Sequence, residues 1–277
     1  MHNMCNIALK MEDTMDQEGT ITCKVGNFEV SMLREVGRPG STEILPDATD
    51  AILQRYIPES GFTSVINAFL IKMPDMNILV DTGFGGDSFT RMQSLGVAIG
   101  DVDVVLITHM HDDHIGGLAK DGKAVFPRAK VYIPEKDLHH FTKTLARDSS
   151  IAAVAPYGSR METFNPEPLN GGSPYELLPG ITPIAAYGHT PGHTALRIES
   201  EGERFFIIGD LVHVPAVQFP LPEMFVVYDV DRAAAISIRR ELLSYAAQEK
   251  MPIGGVHLDG IGTVQAAGNG FTFSPVR

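Results

Sequence analysis

Residues 104–117 read Val104-Val105-Leu106-Ile107-Thr108-His109-Met110-His111-Asp112-Asp113-His114-Ile115-Gly116-Gly117. The opening apolar, β-branched run has the composition of a buried strand, and the glycine pair closes the segment as a turn. Between them lies a stretch dense in imidazole and carboxylate, the side chains that bind a divalent metal through nitrogen or oxygen. Ligand-type residues at the carboxyl end of a strand mark a site, although one short cluster alone also fits a solvated loop. Three further acceptors add the weight: His193, Asp210 and His257 each follow an apolar or glycine-containing stretch.

The chain has 277 residues, enough for one large α/β domain or two small ones. No linker separates independent halves. Residues 1–277 therefore read as one domain, with an N-terminal strand and loop excursion over 1–62 and a lid over the loop-rich 151–180. A net charge of −12 without a basic run argues against nucleic acid as a partner. No apolar run reaches 18 residues, so no membrane span is expected. Glu12, Asp13, Asp16 and Glu18 interrupt the first 20 residues where a signal peptide would need an apolar core. A cytoplasmic protein is the expectation, with an exported form that has lost its leader left open, as is a homodimer. Cys5 and Cys23 are far in sequence from the histidines and read as incidental thiols.

Strand patterns occupy Asn27 to Leu33, Ser64 to Met73, Asn77 to Val80 and Lys130 to Ile133, with a short helix near Ala51 to Tyr56 and another from Glu135. Thr194 to Ser200 and Arg204 to Ile208 flank Glu201-Gly202-Glu203, the length of a hairpin turn. Asp231 offers an N-cap to a helix reaching about Lys250, with Ala234, Ile238, Leu242 and Tyr245 on one face. Pro252 to Val256 leads as a last core strand into His257. Strands mixed with helices in both halves suggest an α/β fold of two packed sheets with helices outside.

Taken together, Leu79-Val80-Asp81-Thr82-Gly83, Thr108 to Gly117, Gly188-His189-Thr190-Pro191-Gly192-His193-Thr194, Gly209-Asp210 and the final His257 resemble the ordered motifs of the metallo-β-lactamase superfamily over about residues 64 to 260. The resemblance implies an αββα sandwich of two mixed sheets, with two metal ions at the edge between them. Carried over by position, His109, His111 and His193 would bind one metal, Asp113, His114 and His257 the other, and Asp210 would bridge them. Imidazole and carboxylate without thiolate suit Zn²⁺, with Mn²⁺ or Fe as alternatives. Two neighbouring cations also need a shared anion between them. His189 is left as a supporting residue, and His139 and His140 as solvent-side or packing residues. Asp81 is expected to accept a hydrogen bond from the second nitrogen of a ligating histidine or to tie down the ligand loop.

Asp at 210, where the β-lactamase class with this first motif commonly has Cys, disfavours antibiotic hydrolysis. His at 111, where the di-iron flavoprotein branch has Glu, disfavours a redox role. A finer resemblance, over about 100 to 260, is to the branch containing methyl-parathion hydrolase and related lactonases or arylesterases. It implies a metal-dependent hydrolase that directs a metal-bridging hydroxide at a lactone or carboxylic (aryl) ester, a small-molecule substrate. Phosphotriester or thioester hydrolysis on the same fold is the alternative, and a non-catalytic metal-binding sensor or module the alternative of another class. Asp113 or a metal-held water is the candidate to protonate the leaving oxygen. His213 is placed to donate to the substrate oxygen or shuttle a proton, against a packing role. Phe84 is expected either to line the substrate cleft or to pack.

Overall fold

The computed structural model describes residues 19–169 and 175–276. Alternation along the strands is apolar on both faces, so each sheet must be covered twice. The first sheet contains β1 (Thr20–Val25), β2 (Phe28–Pro39), β3 (Thr63–Met73), β4 (Met76–Val80) and β5 (Val104–Leu106). After a small separate hairpin of β6 (Ala119–Lys120) and β7 (Lys123–Ala124), it is completed by β8 (Lys130–Pro134) and β9 (Met161–Phe164). Its order is β1-β2-β3-β4-β5-β8-β9, antiparallel as far as β4 and parallel from there on. The second sheet is β10 (Ile181–Ala185), β11 (Thr194–Ser200), β12 (Glu203–Ile207), β13 (Ile253–Gly254), β14 (Ile261–Ala267) and β15 (Gly270–Val276), in chain order. Only β12 and β13 pair in parallel there.

The two inner faces meet through Phe69, Ile71, Ile78, Val80 and Leu106 on one side and Leu196, Ile198, Phe205 and Ile207 on the other. The intervening residues face outward. Leu70, Leu79 and Val105 pack under α2 (Asp87–Ser94) and, beyond α3 (Asp112–Ile115) and α4 (Glu135–His139), under α5 (Asp148–Val154). On the second sheet, Phe206 and Ile253 pack under α7 (Arg232–Gln248), which follows the single turn α6 (Pro215–Gln218). This is the expected αββα sandwich.

Three local readings are corrected, and the short helix near Ala51 to Tyr56 is found where it was expected. The 151–180 stretch is not uniformly loop. Its start belongs to α5, and Met161–Phe164 forms an edge strand beside β8 with Phe164 buried between the sheets. That pairing joins segments some 30 residues apart, which local polarity does not reveal; residues 170–174 lie outside the described residues. The strand expected over Asn27 to Leu33 runs further, since β2 extends to Pro39 with a bulge at Glu35. The helix near residue 51 is α1 (Asp50–Tyr56), whose Ile52 and Tyr56 join Leu45 against Val214, Val217, Met224 and Val226. In α7, Asp231 does cap the helix by accepting from the Ala234 amide, but the buried face is Ala235, Arg239, Leu242 and Ala246, turned from the expected one. The terminal hairpin of β14 and β15 and the first strand β1 escaped the periodicity reading.

Cys23 is buried between the sheets, and burial together with the Glu203 charge pushes its thiol up to about 12, consistent with an unreactive packing group. Cys5 lies outside the described residues. Among those residues no helix is long and apolar enough to cross a membrane.

Asn67 stitches the two sheets together beside the site. Fully buried on β3, it directs its side-chain amide at the carbonyls of Gly255, Val256 and Leu258, 2.8 to 3.1 Å away. Asn67→Ala is expected to lower the unfolding free energy by about 2 kcal/mol, since it strands buried carbonyls. Urea denaturation checks this, and an unchanged midpoint would contradict it.

Candidate metal centre

Every loop that carries a ligand-type residue emerges at the same edge of the sandwich. β4 delivers Asp81 in a left-handed conformation, φ 56°. That strained turn aims its carboxylate at the next loop: Oδ1 accepts the Thr108 amide at 2.8 Å, and Oδ2 accepts the Thr108 hydroxyl and His114 Nδ1, each at 2.8 Å. Both roles expected of Asp81 are therefore present. Thr82 continues the tie by donating to the His114 carbonyl and accepting from the Gly117 amide. A Cβ on Gly117 would lie 2.7 Å from the Thr82 carbonyl, which explains the glycine after the histidine run.

The side chains converge on Asp210, which is 2% exposed. On one flank, His111 Nδ1 lies 2.9 Å from His109 Nε2 and 3.0 Å from His189 Nε2. His189 Nε2 and His109 Nε2 stand 3.3 and 3.5 Å from Asp210 Oδ2. On the other flank, His114 Nε2 is 3.2 Å from Asp210 Oδ1 and His257 Nε2 is 3.1 Å from Oδ2. Asp113 approaches both of these histidines at 3.7 Å. Each flank offers donor atoms within 4.8 Å of one another, a spacing that one cation can span.

His193 is the correction here. The site brings together the other six expected ligands, but His189 occupies the position assigned to His193. Both ring nitrogens of His193 are committed to the backbone: Nδ1 donates to the Ala186 carbonyl at 2.8 Å and Nε2 accepts the Asp210 amide at 2.9 Å. Its Nε2 lone pair is thereby used, and a Cβ on Gly209 would sit 2.5 Å from that atom. His193 is a rivet that fixes the Asp210 loop. Register decides the matter, because His193 immediately precedes β11 and its carbonyl pairs with the Ala186 amide, whereas His189 rides the loop tip.

Several observations test whether the donors fit metal ions. Buried His114 Nε2 and Asp210 Oδ1 make no hydrogen bond despite their proximity. The second nitrogens of the ligand-type histidines have fixed acceptors: His114 Nδ1 on Asp81, His257 Nδ1 on the Val65 carbonyl and His189 Nδ1 on Asp229. Those bonds turn Nε2 of each ring inward, the arrangement of a metal-ligating imidazole. Burial drives His109 well below the usual imidazole range, and burial with the His189 charge drives His111 down to about 2. Burial opposes charge on His114, His257 and His189 as well, yet the Asp210 carboxylate raises all three, His189 to about 9. The pocket around Asp210 thus calls for positive charge beside uncharged nitrogen donors, which divalent ions satisfy.

Three carboxylates that sequence reasoning missed hold this geometry. Asp137 on α4, fully buried, accepts the Met110 amide at 3.0 Å, the Thr190 hydroxyl at 2.8 Å and the Gly192 amide at 2.5 Å, clamping the His109–His111 loop to the His189 loop. Asp229 accepts from His189 Nδ1 at 2.9 Å and faces Arg239 Nη2 at 3.4 Å. Arg239, buried on α7, also donates to the carbonyls of Leu211, Pro222 and Met224, so it braces the segments either side of the Asp210 loop. Glu35, at the β2 bulge, accepts the amides of Phe84, Gly86 and Ser88 and secures the turn into α2. A buried acid on a helix face or a bulged strand gives no local motif, and only the polar intrusion itself was visible.

His213 reaches the cluster. Its Nε2 is 3.2 Å from Asp210 Oδ2, its ring stacks on His257 with centroids 4.6 Å apart, and Gln218 accepts its backbone amide. Burial lowers it to about 4, so it is a neutral ring, and its Nδ1 makes no hydrogen bond. His139 and His140 lie outside the cluster. Above the cluster opens a cleft of about 670 Å³ whose walls include Ile44, Phe62, Ile66, half-exposed Phe84, His213 and Tyr228. Among the described residues none of its lining comes from 151–180; the rim is built instead by the end of β2, the connection from Gly40 to Phe62, the start of β3, Arg147 and Tyr228.

A two-sheet αββα sandwich with histidines and aspartates gathered at one sheet edge defines a class of metal-binding α/β proteins. Residues 62–253 match the metallo-beta-lactamase superfamily, and the chain belongs to it. Among solved structures it resembles the hydrolase AbOPH of the beta lactamase superfamily, at 27% identity and TM-score 0.83 over 95% of this chain and 99% of that one. It also resembles AidC, a dizinc quorum-quenching lactonase, at 24% identity and TM-score 0.82 over 94% and 98% of the two chains. Among curated relatives, the uncharacterized Bacillus subtilis protein YobT is 28% identical over 140 residues, 46% of this chain. The chain spans about half the length of that relative, 54%.

Substituting the two histidines separately tests the correction. His189→Ala is expected to lower the affinity for one metal ion at least 100-fold, roughly the effect of losing a ligand together with its oriented partner. His193→Ala should retain the metal while lowering thermal stability. Metal titration by calorimetry beside thermal denaturation reads both, and metal loss in H193A with full retention in H189A would contradict the geometry.

Proposed function

We propose that the protein is a metal-dependent hydrolase of lactones or carboxylic (aryl) esters. The observation that carries this reading is the convergence of imidazole and carboxylate donors on buried Asp210 at the floor of an apolar-walled cleft. His109, His111 and His189 would hold one divalent ion and Asp113, His114 and His257 the second, with Asp210 shared; Zn²⁺ suits the donor set best. The chemistry supplied by two such ions is polarisation of a carbonyl and acidification of a water. The relatives support the reading as neighbours of the same fold, one of them described as a dizinc lactonase.

The chain's own residues orient the substrate and manage its protons. Ile44, Phe62, Phe84 and Tyr228 offer apolar and aromatic surface to an acyl or aryl group and exclude water from the floor. His213 is neutral and buried at the cleft wall, so an N–H from this ring can be donated to the carbonyl oxygen as negative charge develops there. Asp113 lines the same cleft and is the acid placed to return a proton to the leaving oxygen. The His257 stack and the Gln218 bond to its backbone hold His213 in register for this role.

Hydrolysis of lactones, aryl esters, thioesters and phosphotriesters by Zn²⁺-loaded protein tests the reading. Lactones or aryl esters should be cleaved with the highest kcat/KM; turnover confined to thioesters or phosphotriesters, or absent throughout, would overturn it. His213→Ala should lower kcat by about 10²-fold at unchanged metal content, the span of one acid–base or oxyanion donor. A stability loss with normal kcat would instead make His213 a packing residue.

A further inference from the structure

The hydrolase reading leaves two cations of the cleft without a role. Arg38, near the end of β2, and Arg147, just before α5, both line it. The chain is acidic, with a net charge of −12, and Arg34, Arg128, Arg197, Arg204, Arg232, Arg239 and Arg240 each meet a carboxylate, while Arg91 and Arg160 are used on backbone carbonyls. Among the described residues Arg38 and Arg147 meet none. Asp112, which also lines the cleft, accepts the Ser149 hydroxyl at 2.9 Å.

Arg147 is also fixed in place. Its amide donates to the Phe141 carbonyl at 2.9 Å after a left-handed Ala146, φ 48°. Its guanidinium carbon rests 5.2 Å from the centre of the Phe141 ring, and that ring meets His111 edge-on at 5.4 Å. Stacking orients a guanidinium while leaving its N–H fork free, the geometry that matches a carboxylate with two parallel hydrogen bonds. Two unpaired arginines beside a carboxylate-rich floor suit a monoanion better than a dianionic phosphate.

We propose that the cleft selects esters or lactones that bear a separate carboxylate, with Arg147 as its anchor and Arg38 as its second contact. The proposal rests on the hydrolase reading above and names the substrate class of that site. Hydrolysis adds one water across the acyl–oxygen bond and gives a new carboxylate, a hydroxyl and a proton, while the anchored carboxylate is unchanged. An ester with its anchor on the acyl part would give a dicarboxylate and an alcohol, and a lactone would give a hydroxy-dicarboxylate.

Matched esters test this. The Zn²⁺-loaded protein would be offered the 4-nitrophenyl monoester of glutarate and the same ester with its free carboxylate methylated. A preference for the anion of about tenfold in kcat/KM is expected, narrowing in high salt. Arg147→Ala should reduce that ratio by about tenfold through KM of the anionic ester, Arg38→Ala less, and Arg147→Lys should fall between, since lysine keeps the charge but loses fork and stack. A wild-type ratio of one or less, a ratio unmoved by either alanine, or equal loss on both esters in R147A would overturn the proposal; the last would make Arg147 only a support for Phe141. A second arm titrates the uncleavable 4-nitroanilide of glutarate, free and methylated, by calorimetry. If neither ester is cleaved yet the anionic anilide binds through Arg147, the hydrolase reading fails while the carboxylate anchor at Arg147 is upheld. If esters are cleaved without discrimination and both anilides bind alike, this one fails alone.

Discussion

A carboxylate removed from water is stable only among positive charges and hydrogen-bond donors, and Asp210 is such a group. Burial alone would raise its pKa, but His257, His114, His109 and His213 surround it and hold it well below the usual carboxylate range. Much of the surrounding architecture supplies that environment. The Asp210 amide is fixed by His193, the imidazoles on its two flanks are aimed by Asp81, Asp229 and the Val65 carbonyl, and the loops that bring them are clamped by Asp137. A metal centre built this way is preorganised, so the ligand rings need little rearrangement to accept cations.

The sandwich makes this possible because its loops can be shaped independently of its core. Inner-face residues such as Phe69, Ile78, Leu196 and Phe205 lock the two sheets face to face, and the strand ends then project their loops over one edge. Fixing comes from long-range polar contacts: Asn67 ties β3 to the His257 loop, and Arg239 ties α7 to the Asp210 and Asp229 segments. Such buried polar groups are costly unless fully paired, and Arg239 is paired by three carbonyls and a carboxylate. The helix face turned from its simple apolar pattern because this arginine had to point inward.

The sequence was most legible where chemistry is local. His109 to His114 declares itself in six residues, Asp210 and His257 stand out after apolar or glycine-containing stretches, and the resemblance to the superfamily's motif series adds Asp81. Legibility failed where a choice depended on register. His189 and His193 stand four residues apart in one loop with near-identical surroundings, and only the pairing of His193 with Ala186 ahead of β11 decides which ring turns toward Asp210. Glu35, Asp137, Asp229 and Arg239 were missed for a related reason: each acts on residues brought near by the fold, and an isolated acid or arginine in sequence resembles a solvated side chain. The Met161–Phe164 edge strand was hidden within a stretch rich in proline and glycine further on.

The central claim, that Asp210 is shared by two cations, is tested most directly by anomalous diffraction from crystals of Zn²⁺-loaded protein at the zinc absorption edge. Two peaks are expected flanking the Asp210 carboxylate, one among His109, His111 and His189 and one among Asp113, His114 and His257. A single peak on one flank, or a peak against His193 Nε2, would contradict the account.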